Sequence, residues 1–115
     1  MINCKLNLYI LVLNKQTIKY QILSLSEDKI CIPHKDVSSE SKIEHLLCDI
    51  FKQHIDLDPG FTNFILSDIE NNSASLNINY FCLVPYSTKI ISGNLLTINY
   101  NEISSTTLRH ILSKL

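Results

Sequence analysis

Between residues 41 and 55 the stretch SKIEHLLCDIFKQHI fits one regular conformation well. Ile43, Leu46, Leu47, Ile50 and Phe51 recur at i, i+3, i+4, i+7 and i+8. Wound as an α-helix they form a single apolar stripe, whereas a strand would scatter them over both faces. His45, Asp49, Lys52 and Gln53 fall on the opposite, polar side. Ser41 is placed to cap the backbone N–H of Glu44, and Glu44 to reach back to the amide of Ser41, a capping box that predicts a helix over about residues 42–54. Pro59 and Gly60 then turn the chain out of it. One such helix cannot bury its stripe alone, so a second layer must cover it.

The flanking segments supply that layer as strands. Residues 4–13 and 17–25 are rich in β-branched and aromatic side chains, with Asn14 offering turn chemistry between them, so they are expected to form a hairpin. A short strand, KICI at 29–32, is expected next, closed by Pro33 because proline has no N–H to donate, with HKDVSSE following as a loop. Beyond the turn, FTNFILSDI and ASLNINYFCLVPY read as two strands joined by ENNS, with Leu76, Ile78 and Tyr80 on a buried face. NLLTINY reads as another strand, and Leu108, Ile111, Leu112 and Leu115 predict a terminal amphipathic helix over about 105–115. Strands, helix, strands, helix is the order of an α/β or α+β fold: a mixed sheet carrying helices, in one domain spanning 1–115.

Charge excludes several partners. Ten Lys and Arg oppose eleven Asp and Glu, interspersed, for a net charge of −1, so no field gathers nucleic-acid phosphates or anionic lipid. The first apolar stretch, LNLYILVLN, is far shorter than the roughly 20 residues that span a bilayer. Cys4, Cys31, Cys48 and Cys82 are scattered without a disulfide rhythm, which fits a reducing compartment, and a cytoplasmic protein is expected. With only Gly60 and Gly93 as glycines, no Walker-type or dinucleotide-type phosphate loop can be built.

The order of elements, with a short strand ending in IP, a loop and one capped helix, resembles a Nudix domain, which implies an α/β/α sandwich around a mixed sheet. The family's box is G-x5-E-x7-R-E-U-x-E-E-x-G-U, where U is a bulky aliphatic residue. Laid on this chain, His34 stands at the first glycine, Glu40 matches the first glutamate and Cys48 replaces the arginine. Asp49 stands at the next glutamate, Ile50 matches the aliphatic position, and Lys52 and Gln53 replace the paired glutamates. Ile55 replaces the late glycine, with Asp56 or Leu57 at the final aliphatic place, and NINYFCLV is similar to the family strand after the box.

The resemblance implies magnesium or manganese held against a nucleoside diphosphate derivative while water attacks phosphorus. A hard cation of this kind wants several converging oxygens. Lys52 lies one turn from Asp49, placed for an i, i+3 ion pair. Charges ~4 Å apart interact by about 4 kcal/mol at an effective dielectric near 20, so a lysine is expected to hold the place of the metal. The expected function is therefore a non-catalytic Nudix-like domain that binds a ligand or a protein, without a cofactor and with Lys52, Gln53 and Tyr80 as ligand contacts. The alternative is a hydrolase of nucleoside diphosphate derivatives that uses Glu40 and Asp49, helped by Asp68 or Glu70, with magnesium or manganese.

Cys31, His34, His45 and Cys48 offer the two sulfurs and two imidazoles of a structural zinc site, although Cys31 in an apolar stretch also reads simply as a core residue. Cys48 beside His45 lacks an oxyanion-forming glycine loop and reads as a small space-filling residue. Expected partners are a nucleotide-type small molecule or a protein, with a homodimer left open and no direct contact with nucleic acid or membrane.

Overall fold

The computed structural model describes residues 3–115. In chain order it contains β1 (Asn3–Asn14), β2 (Lys19–Ser24), β3 (His34–Asp36), α1 (Ile43–His54), β4 (Ile65–Asn72), β5 (Ser75–Val84), β6 (Asn94–Thr97) and α2 (Thr106–Lys114). The strands form one mixed sheet in the order β4-β5-β1-β2-β6, with β3 added to β1. The α/β expectation and both helices are present.

β1 is the spine. It runs antiparallel to β2 and to β3, and parallel to β5 from Asn3↔Ser75 to Val12↔Val84. A parallel neighbour requires a crossover, and α1 lies within it. Leu6, Leu8, Ile10 and Val12 share a core with Leu47, Ile50 and Phe51 of α1. Tyr9 and Leu11, on the other face of the same strand, pack with Leu108 and Ile111 of α2. Burial on both faces explains why β1 reads as a continuous apolar run instead of an alternation. Among the described residues no helix is long and apolar enough to cross a membrane.

Three local expectations are corrected. KICI is not a strand, because its Cys31 carbonyl accepts from the Leu25 N–H and two more of its backbone groups are taken by the buried Ser24 hydroxyl. That hydroxyl accepts from the Cys31 N–H (2.9 Å) and donates to the Lys29 carbonyl (2.7 Å). Pairing with β1 resumes only after Pro33, whose carbonyl accepts from the Leu8 N–H, so β3 falls within the expected loop. The capping box does not form: Lys42 is the N-cap and makes no side-chain cap, while the Ser41 hydroxyl accepts from the Ser38 N–H (3.0 Å) in the preceding turn. β4 and β5 extend through much of ENNS, ending at Asn72 and restarting at Ser75.

The first hairpin turns as expected on Asn14, whose Oδ1 accepts from the N–H of Gln16 (2.9 Å) and of Thr17 (3.3 Å). Ile18 then adopts φ 56°, in the left-handed region, where a β-branched residue is strained. Its side chain is 80% exposed, so little packing offsets the strain. Ile18→Asn is expected to stabilise the fold by about 1 kcal/mol in urea denaturation, and a loss of stability would contradict this account.

All four cysteines are free, and only Cys82 is buried. Burial pushes its thiol well above the ordinary 9.0. Because the folded value is raised, the stability from keeping this thiol neutral is complete below about pH 9 and declines as the pH rises further. A thiol reagent is expected to modify Cys4, Cys31 and Cys48 in the native protein and Cys82 only after unfolding. Rapid reaction at all four positions would contradict the packing of β5.

Candidate functional site

Three chemically distinct places stand out: the polar face of α1, a carboxylate pair on β4, and a cleft beside α2. On α1 the ladder puts Lys35 opposite Leu6, hence on the helix-bearing side, and its ammonium reaches Asp49 Oδ2 at 4.0 Å. The expected partner Lys52 is thus replaced by a lysine from another element. Both groups are substantially exposed (31% and 57%), so the pair is worth less than about 1 kcal/mol. Lys52 and Gln53 are exposed, as is Glu40 in the turn before the helix.

A hard divalent ion needs several oxygens converging at about 2.0–2.6 Å. Among the described residues no three His, Cys, Asp or Glu side chains converge in that way. One carboxylate facing an ammonium does not fit a magnesium or manganese site of the box type. Cys31, His34, His45 and Cys48 are likewise not gathered into a zinc tetrad.

Asp68 and Glu70, two residues apart on β4, are brought together. A bulge between Leu66 and Asp68 sets the register Asp68↔Asn79 and Glu70↔Asn77, and Asn79 in turn stands opposite Asn7. Asn79, only 1% exposed, donates from Nδ2 to Asp68 Oδ1 and to Glu70 Oε1, both at 2.8 Å. Its Oδ1 accepts from Asn7 Nδ2 at 2.9 Å. The buried Thr107 hydroxyl lies 3.1 Å from Asp68 Oδ2 and 3.2 Å from Glu70 Oε1, and its single proton serves one of them at a time. Two acids therefore share neutral donors on the α2 face, whereas Asp49 lies on α1, across the sheet. Neither Asp68 nor Glu70 is brought to the side of the sheet that carries Asp49.

Tyr9 links this pair to the cleft. Burial raises its phenol above the ordinary 10.0; the Ser105 side chain opposes this, the nearby Glu70 and Asp68 charges add to it, and Thr107 opposes it.

The cleft has a volume of about 660 Å³ and a floor of Tyr9, Ile32, Leu96 and Leu108. One lip is the turn carrying Glu27, Asp28 and Lys29, held by the Ser24 hydroxyl. The other lip carries Asn99, Glu102 and Ser104. It is pinned by Arg109, whose Nε and Nη2 donate to the Ile103 carbonyl at 2.8 and 2.6 Å, and by Ser105, whose Oγ caps α2 through the Leu108 N–H at 3.2 Å. An apolar floor between polar, fixed lips is the usual form of a small-molecule site. Lys52, Gln53 and Tyr80 do not line it; Tyr80 packs against the core on the α1 side. The floor is assembled from four separate segments, and no local motif announces it.

No family model matches the chain, and no curated protein matches it in sequence. Solved structures do match in fold. An Ap4A hydrolase from C. elegans superposes with a TM-score of 0.66 at 9% identity, covering 99% of this chain and 98% of that one. A MutT/nudix family protein from Enterococcus faecalis gives 0.60 at 7% identity over 84% of this chain, which spans only 44% of that protein. The NUDIX domain of Shewanella oneidensis NrtR, complexed with ADP ribose, gives 0.53 at 11% identity, covering 98% of this chain and 77% of that one. The chain has a Nudix-like fold.

Proposed function

We propose that the chain is a binding module on a Nudix-like fold, taking a nucleoside- or nucleotide-type small molecule in the cleft beside α2 without hydrolysing it. The observation that carries this reading is the divided chemistry. The cleft has the size and floor for a planar ring, while Asp49, at the glutamate position that follows the box arginine, faces Lys35 and stands across the sheet from Asp68 and Glu70. A complex with ADP ribose in one protein of this fold supports a nucleotide-type ligand. Fold alone does not carry activity, so the site decides.

The test pairs binding with turnover. Nucleosides and nucleotides are expected to raise the melting temperature, because a ligand that favours the native state stabilises it by mass action. Release of nucleotide, sugar-phosphate or pyrophosphate products from nucleoside triphosphates, diadenosine tetraphosphate and ADP ribose with manganese is expected to stay at the blank. Thr97→Trp, at an exposed position lining the cleft, is expected to abolish the shift while the protein remains folded. Manganese-dependent release that disappears in Asp49→Ala would replace this reading with the hydrolase.

A further inference from the structure

We infer that the cleft recognises the heterocyclic, nucleoside end of its ligand and repels the polyphosphate end. This rests on the cleft being the ligand site, and concerns which part of a nucleotide it accepts. Three carboxylates line the two lips, Glu27 and Asp28 on one and Glu102 on the other, against Lys29 as the only cationic side chain of the lining. Arg109 lies outside the lining, where its guanidinium donates to the Ile103 carbonyl and contributes one positive charge beside the lip. Beyond the floor, Asp68 and Glu70 add negative charge near the Tyr9 hydroxyl.

Those groups have complementary chemistry. Carboxylates only accept hydrogen bonds when ionised, so they suit the exocyclic amino groups and ring N–H groups of a base, and an ammonium or protonated ring still better. The floor of Tyr9, Ile32, Leu96 and Leu108 offers apolar area on which a ring can lie. A diphosphate entering the same space would bring two or more negative charges toward three acids with one lysine to offset them. The α2 N-terminus would favour an anion, but its first turn is already engaged by the Ser105 cap and faces Asp68 and Glu70 through Thr107. Ligands of this cleft are therefore planar nitrogen heterocycles, neutral or cationic, with any phosphate held out in solvent.

The experiment uses matched pairs. Isothermal titration of the full chain, free of divalent ions, compares the four common nucleosides with their 5′-diphosphates. At least one nucleoside is expected to bind about ten-fold more tightly than its diphosphate at low salt, with the gap closing near 0.5 M salt, where charges are screened over a few ångströms. A combined Glu27→Gln, Asp28→Asn, Glu102→Gln variant, altered only at exposed positions, is expected to close the gap at low salt. A diphosphate binding as tightly as its nucleoside would overturn the inference and leave the cleft a ligand site. A nucleoside preference unchanged in the neutralised variant would overturn the acidic lips as its cause. Binding of no member of either set, in a protein that melts normally, would overturn the proposed function as well.

Discussion

Replacing Phe51 with alanine is expected to cost about 3–5 kcal/mol of folding free energy, measured by urea denaturation followed by circular dichroism. Phe51 is fully buried and presents itself edge-on to Phe64, with ring centroids 5.7 Å apart and planes at 75°. It sits in the α1-side core with Leu8, Ile10 and Val84, so truncation removes transfer free energy and leaves a cavity walled by two layers. Native domains hold only about 5–15 kcal/mol in total, so the variant would have little stability left at 37 °C. Lys52→Ala, on the exposed face of the same helix, is expected to change stability by less than about 0.5 kcal/mol. A Phe51→Ala loss below about 1 kcal/mol would mean that α1 is not docked as described.

The second large effect is expected at Asn79. Its amide touches Asn7, Asp68 and Glu70 together. Asn79→Ala removes two hydrogen bonds to acidic groups and leaves the Asn7 amide without this acceptor. Bonds to charged partners contribute about 1.5–3 kcal/mol each, and the partial exposure of both acids lets water replace part of that, so a loss of about 2–3 kcal/mol is expected. Asn79→Asp keeps the shape but sets a third carboxyl against two others. It should be more damaging than alanine at neutral pH, and its deficit should shrink as acidification neutralises any one of the three. Equal losses for the two variants across pH would show that Asp68 and Glu70 do not share this donor.

Much of the fold is legible in the sequence because its determinants are local and periodic. The stripe from Ile43 to Phe51 dictates α1, Asn14 dictates the first turn, and Ser105 with Leu108 and Ile111 dictates α2. What fails is competition between local partners. Ser41 has the spacing of a cap, but Ser38 takes its hydroxyl; KICI has the composition of a strand, but Ser24 takes its Cys31 amide and Lys29 carbonyl. The site is harder to read, since its parts meet only through strand register. Asp49 lies on the exposed face of α1, yet its ion-pair partner comes from β3 instead of the next helical turn. The pairing of Asp68 with Glu70 depends on a bulge, and the cleft on two lips that are far apart in sequence.

The central position of β1 has a consequence for biosynthesis. This strand leaves the ribosome before the others described, yet the neighbour that pairs with it from Asn3 to Val12, β5, is complete only at Val84. Until then the nascent chain carries Leu6 to Val12 with one long edge unpaired, in a topology whose non-local closure is intrinsically slow. Chaperone capture or self-association of truncated chains is the hazard that follows, and it should fall abruptly once synthesis has passed β5.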